Sequence, residues 1–315
     1  MMEWLYAALG LVILLLAGDA LVKGAVNMSL RIGIPALIVS LTVVAFGTSA
    51  PELLISITAA LEDKPGITLG NVIGSNTANV LLVLGVPALI ATMHTSHCNT
   101  KNSYLQMVFG SLLFIGLCFF GTFTFVSGVV LLAALTVTLT WAFFQAKAHR
   151  AMGEDDDLEE PEGADPEMRW WKIIMYLVLG LIGLPLGADL LLDSAVTIAR
   201  MFGITETVIG LTLVAIGTSL PELATTVMAA IRRQADVALG NVIGSNMFNL
   251  LAVIGVTAVV SPIPVDPDLL EFDVWVMLGA TLLLVPFVFL RANITRIWGV
   301  VLTGLYVTYI FTVLH

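Results

Sequence analysis

The chain has 315 residues, of which 58% are hydrophobic and only 11% charged, and its mean hydropathy is +1.01. Soluble globular domains are not composed this way, and the apolar stretches are about 20 residues long, enough to cross a bilayer as helices. The net charge of -10 says little about partners, because much of the acid sits between Glu154 and Glu167, and no nucleic-acid role is expected.

Taken in chain order, hydropathy with polar and Gly/Pro breaks predicts about ten spans, near 4–22, 35–61, 67–92, 104–121, 125–146, 171–192, 204–231, 236–260, 272–290 and 294–313. The first begins near Trp4 with Glu3 ahead and no basic flank, so it reads as a retained span and not a cleaved signal. Cys98 and Cys118 fall in a loop and in a mid-membrane helix, which makes them poor disulfide partners. His94, His97 and Cys98 share a short loop without a fourth ligand. The acidic run 154–167 contains Pro and Gly, lacks the D-x-[DN]-x-[DN]-G pattern, and reads as a solvated linker.

With this span count, one side collects Lys23, Arg31, Lys101, Lys147, Arg150, Arg169, Lys172, Arg232, Arg233, Arg291 and Arg296, and the other only Lys64 and Arg200. The positive-inside rule then puts both termini outside the cytoplasm, and the loops at 93–103 and 147–170 within it. The compact length and lack of a long regulatory domain lead us to expect a prokaryotic inner membrane.

Residues 18–86 align on 188–256 without a gap, and 31 of the 69 positions are identical, among them Asp19/Asp189, Gly33/Gly203, Glu52/Glu222, Gly74/Gly244 and Asn79/Asn249. Five spans per half is an odd number, so the second half must enter the membrane from the opposite side. The expected fold is all-α and polytopic: two inverted five-helix repeats with broken core helices, residues 1–147 and 171–315, joined by an acidic cytoplasmic linker at 148–170.

Within each repeat stands the same pair of motifs. Gly47-Thr48-Ser49-Ala50-Pro51-Glu52 returns as Gly217-Thr218-Ser219-Leu220-Pro221-Glu222, and each precedes Gly-Asn-Val-Ile-Gly-Ser-Asn, at Gly70 and Gly240. Pro51 has no N–H for the Gly47 carbonyl and crowds it, so the helix must break there. Backbone oxygens freed in a membrane need protein, water or a ligand. Thr48/Glu52 and Ser75/Asn79 are four apart on single helix faces, as are Thr218/Glu222 and Ser245/Asn249. The inventory is all oxygen, which suits a hard cation such as Ca²⁺ with its 6–8 oxygen ligands and argues against zinc or copper. Neither Glu52 nor Glu222 has a Lys or Arg in its own or the adjacent motif span, so each must be protonated or meet a cation from outside. The plainer alternative is a pair of neutral, hydrogen-bonded glutamates beside kinking prolines.

At these residues the chain resembles the sodium/calcium exchanger family of the cation/calcium antiporter superfamily, with both alpha repeats present as GTSAPE/GNVIGSNTAN and GTSLPE/GNVIGSNMFN. The resemblance implies four clustered cation sites between the halves. Glu52, Glu222, Thr48 and Thr218 would hold Ca²⁺. Ala45, Thr48, Ser49, Glu52 and Ser75 would line one flanking Na⁺ site, and Ala215, Thr218, Ser219, Glu222 and Ser245 the other. Asn79 and Asn249 would line the middle position. Some members carry Asp where Asn249 stands, K⁺-dependent relatives in particular, so the resemblance points to K⁺-independence.

The expected function is secondary antiport of Ca²⁺ against Na⁺, with lipid as surroundings and no organic cofactor. The alternatives are a Ca²⁺/H⁺ exchanger on the same glutamates and, from another class, a cation channel. An intramembrane enzyme is not expected, since no H-E-x-x-H occurs and no His stands beside the motif serines. Asp19 and Asp189, also matched, read as helix-end or interhelical hydrogen-bonding residues before ion relays.

Overall fold

The computed structural model describes residues 2–62, 64–152, 165, 167–203 and 215–314. The linker at 153–164 and the start of the expected seventh span, 204–214, lie outside the described residues. Seven described helices are long and apolar enough to cross a membrane. They are α1 (Met2–Ile32), the run containing α5 (Pro65–Leu81) and α6 (Gly85–Ile90), α8 (Phe125–Met152, apolar to Gln145) and α9 (Trp170–Met201). The others are the run of α12 (Ala235–Met247) into α13 (Ile254–Val260), that of α14 (Pro267–Glu271), α15 (Asp273–Leu282) and α16 (Val285–Phe289), and α17 (Arg296–Leu314).

An eighth crossing is the bent pair 36–48 and 50–61, made of α2 (Ala36–Val39), a π-turn at Ser40–Val44, α3 (Ala45–Thr48) and α4 (Ala50–Leu61). Between these elements lie α7 (Lys101–Cys118), the three-residue α10 (Ala215–Gly217) and α11 (Leu220–Ile231). The fold is all-helical apart from a two-residue ladder, Thr122–Phe123 against Ile263–Pro264. Both α1 and α9 run about ten residues past the expected ends, because helix geometry carries on through the polar residues that mark the hydropathy edge.

Several contacts join segments far apart in the chain: Asn27 accepts from the Asp165 amide, Met93 pairs with Ile294, and Cys98 faces Asp236. Burial, and then that carboxylate, push the Cys98 thiol up. The 122–123/263–264 ladder joins the loops that follow α7 and α13.

Helices that meet in lipid have no hydrophobic drive towards one another and associate by close backbone approach. The α1–α9 pair is built that way. A Cβ on Gly187 would lie 2.8 Å from the Leu14 amide, and one on Gly10 would lie 2.7 Å from that of Leu191. The halves interlock similarly where α12 crosses the first broken helix. A Cβ at Gly244 would fall 2.5 Å from the Leu41 carbonyl, and Ser40 Oγ donates to the Val237 carbonyl at 2.6 Å. Substituting Gly244 with Ala should therefore cost about 1–3 kcal/mol through overpacking. A thermal unfolding series in detergent should show a lower midpoint for that variant and little change for Gly304→Ala, whose added methyl meets nothing within 4 Å.

Candidate cation site

The break in each core helix has the same geometry. Ser49 (φ -85°, ψ 3°) ends α3 and caps α4, with Pro51 in the first turn; Ser219 (φ -90°, ψ 5°) does the same ahead of Pro221. The axis bends by 42° at Ser49. Each glutamate thus sits in the first turn of a new helix, where the partial positive charge of the free amides favours an anion. Glu52 and Glu222 are both 0% exposed, and they are close enough for the charge of Glu222 to act on Glu52.

Their oxygens are short of protein partners. Both carboxyl oxygens of Glu52, Oε2 of Glu222, Oδ1 of Asn79, both amide atoms of Asn249 and Oγ of Ser219 are buried without a hydrogen bond. Buried polar atoms of this kind are rare and cost about 1–3 kcal/mol each. Ser49 Oγ donates to Glu222 Oε1 across the halves at 3.5 Å, and the hydroxyls of Thr48 and Ser245 also face Glu222. Apart from the Asn249 Nδ2 donor, these are oxygens with free lone pairs, as a set of metal-cation ligands has, so the oxygen set fits hard cations.

The flanking hydroxyls are arranged differently from the expected grouping. Thr48 Oγ1 lies 3.4 Å from Ser245 Oγ, and Ser75 Oγ lies 3.4 Å from Thr218 Oγ1. Each serine was expected beside the threonine of its own half; each instead meets the threonine of the other. The reason is the break itself. The segment before it packs on the opposite half, as α3 does on α12 and α10 on α5, whereas the segment after it returns along its own half. Ala45 is fully buried and its carbonyl accepts from Thr48 Oγ1 at 3.3 Å; Ala215 opens α10, the matching position.

Two pairs of residues that the sequence reading passed over hold this frame. Asn71 Nδ2 donates to the Glu52 carbonyl (3.4 Å) and Ser56 Oγ (3.3 Å), and Asn241 Nδ2 to the Glu222 carbonyl (3.3 Å) and Thr226 Oγ1 (3.2 Å). Asn76 and Asn246 each donate to the other's backbone carbonyl, at 3.5 and 3.3 Å, and Asn79 Nδ2 donates to Asn246 Oδ1 at 3.0 Å. All four asparagines are repeat-matched inside the glycine-rich motif, which was the available signal. The two sides are unequally open: Thr48 and Asn241 are buried, but their counterparts Thr218 and Asn71 are partly exposed. Asp19 pairs with Arg232 across α1 and α11, an interhelical role, while Asp189 lies exposed on α9.

The family profile described as sodium/calcium exchanger protein matches residues 2–144 and 172–315. The chain belongs to the sodium/calcium exchanger family. It is similar to the sodium/calcium exchanger MaX1 of Methanosarcina acetivorans, 33% identical over 350 residues covering 99% of each chain. It is likewise similar to the inner membrane protein YrbG of Escherichia coli, 32% identical over 305 residues covering 96% of this chain and 93% of that one. A solved structure of the sodium-calcium exchanger NCX_Mj, soaked with Na⁺ and Sr²⁺, superposes with a TM-score of 0.82 at 32% identity over 98% of both chains. The protein is a transmembrane antiporter and not an enzyme.

Asn241→Ala would strip the Glu222 carbonyl and Thr226 of their shared donor, at about 1–3 kcal/mol. The expected outcome is a rise in half-saturating Ca²⁺ of roughly ten-fold, read as ⁴⁵Ca²⁺ exchange in proteoliposomes. Asn241→Asp, which keeps the shape but adds charge beside Glu222, should not restore it.

Proposed function

We propose that this exchanger extrudes Ca²⁺ against an inward Na⁺ gradient, with both ions competing for Glu52 and Glu222. The observation that carries this reading is the pair of fully buried carboxylates with three of their four oxygens lacking a protein partner. In a low-dielectric interior, two such charges side by side are tolerable only with a cation between them. An empty site therefore resists occlusion, and the energetic penalty of crossing empty couples the two ion flows.

The ligands follow the geometry. Ca²⁺ would take the centre, between Glu52 and Glu222 with Thr48 and Thr218. One flanking Na⁺ would be held by Ala45, Thr48, Ser49 and Glu52 with Ser245, and the other by Ala215, Thr218, Ser219 and Glu222 with Ser75, each serine now supplied by the opposite half. Asn79 and Asn249 would line the middle position. With asparagine at both of these positions the centre carries two negative charges, which supports K⁺-independent exchange. The hydroxyls favour Na⁺ over H⁺ as the driving ion, because a proton on a carboxylate needs no such ligand shell.

We place the ten spans in two inverted five-helix repeats, 1–147 and 171–315, with the 148–170 linker in the cytoplasm and both chain ends outside, in a cell inner membrane. The positive-inside asymmetry supports the orientation; the gapless repeat supports the inversion. Alternating access would come from α1 and α9 moving as a packed pair over the broken-helix core. In this reading the Asp19–Arg232 pair would close the cytoplasmic side, and the partial exposure of Thr218 and Asn71 supports an opening towards the outer side.

Uptake of ⁴⁵Ca²⁺ into Na⁺-loaded proteoliposomes should proceed with no pH gradient and be indifferent to K⁺. Glu52→Gln and Glu222→Gln should each abolish it; uptake driven by a pH gradient alone would assign the chain to proton exchange instead. Arg232→Gln should release the cytoplasmic closure. Because the pair is partly solvated, its contribution is on the order of 1 kcal/mol, or about five-fold in population. Labelling of Ile67→Cys by an impermeant thiol reagent from outside, with Cys98 and Cys118 replaced by serine, should slow accordingly, and the charge swap Asp19→Arg/Arg232→Asp should restore it.

A further inference from the structure

Between α5, α15 and α17 lies a cavity of about 370 Å³ whose inner wall includes Ser75 and Thr218 and whose outer wall includes Asp273 and Tyr309. Its remaining lining is largely aliphatic, with Ile67 and Ile310 among it. Asp273 is partly buried, and Tyr309 Oη donates to its Oδ1 at 2.9 Å. Phe272 stacks on the Tyr309 ring with centroids 6.3 Å apart. The tyrosine thus ties down one carboxylate oxygen and orients the group at the cavity wall. At the inner end, the Ser75–Thr218 hydroxyl pair is the part of the cation site that is not fully buried.

A carboxylate at the head of a helix has an ordinary structural use, since it complements the helix dipole. That use would not call for a tyrosine clamp, nor for a cavity running from the carboxylate to the ion-site hydroxyls. We propose that Asp273, held by Tyr309, is a staging site that captures Na⁺ from the outer phase and delivers it along this cavity to Ser75 and Thr218. One carboxylate and one phenol oxygen suit a monovalent cation that keeps part of its water; Ca²⁺, which needs six to eight oxygens, is not held there. A low-dielectric cleft with a single anionic group raises the local cation concentration and speeds capture, an effect that salt screens.

This inference rests on the Na⁺/Ca²⁺ exchange reading and on its outer-side assignment. It is tested in right-side-out and inside-out vesicles from expressing bacteria, by measuring half-saturating Na⁺ and Ca²⁺ at each face for wild type, Asp273→Asn, Asp273→Glu and Tyr309→Phe. Asp273→Asn should raise half-saturating Na⁺ roughly three-fold or more at one face only, and leave half-saturating Ca²⁺ at that face nearly unchanged. Asp273→Glu should recover most of the loss. Wild-type Na⁺ capture at that face should weaken as choline chloride is added, while that of Asp273→Asn should not. Tyr309→Phe, which keeps the carboxylate but frees it, should give a smaller shift in the same direction.

A shift at the cytoplasmic face alone would overturn capture from the outer phase and, with it, the assigned orientation. Equal shifts at both faces, or a variant indistinguishable from wild type at both, would overturn the proposal. If wild-type vesicles show no Na⁺-driven exchange at all, the exchange reading itself falls, and the staging role with it.

Discussion

Two carboxylates buried side by side, with most of their oxygens denied a protein donor, set the terms for the rest of this molecule. Everything around Glu52 and Glu222 either keeps them in place or keeps them unsatisfied. The prolines break the helices so that each glutamate opens a new one. Asn71 and Asn241 bind the backbone carbonyls of the glutamates and leave the carboxyl groups alone. Among the described residues no ion pair reaches either carboxylate, and the pair Lys64–Glu62 lies at the exposed end of α4. A site fully satisfied by its own protein would bind nothing; the unmet hydrogen-bonding capacity here is what gives an arriving cation its purchase.

Much of this was legible because the repeat is written into the chain twice. A single buried glutamate beside a proline has an unremarkable structural explanation. The same glutamate 170 positions later, with the same threonine, serine and glycine-asparagine run, does not. The helix breaks at Ser49 and Ser219 could be read from that. The pairing of hydroxyls could not. Spacing along a helix says which side chains share a face, but not which neighbour that face meets, and Ser75 meets Thr218 because the chain crosses over at the break. The asparagine clamps were overlooked for a related reason. Asn71 and Asn241 sit one turn from the serines of their own motif, and nothing local distinguishes a ligand from the residue that positions the carbonyl behind it.

The helix ends show another limit. Hydropathy located the apolar part of α1 but not its continuation through Lys23 to Ile32, where Lys23 lies 4.9 Å over the Tyr176 ring and the helix remains packed on α9. A basic residue marks where lipid stops being the solvent, not where backbone hydrogen bonding stops. The π-turns at Ser40–Val44 and Phe248–Val253 are equally silent in composition. The first falls where the broken helix meets the other half and the second contains Asn249, and a π-turn is a common local feature of functional sites.

Near-identical frames do not make the two sides of the membrane equivalent. Asp19 has a match in Asp189, but Arg232, its partner, is matched by Glu62, and Glu62 is already held by Lys64 at 2.8 Å. The arrangement that clasps α1 to α11 therefore has no counterpart between α9 and α4. The same inequality runs inward: Thr48 and Asn241 are sealed, while Thr218 and Asn71 are partly open. In the proposed exchange cycle the duplicated scaffold supplies two ways in, and the residues that differ between the copies set how firmly each is shut. An exchanger working against a standing gradient has reason to fasten its two gates unequally, since the ion it must take up is scarce on one side and abundant on the other.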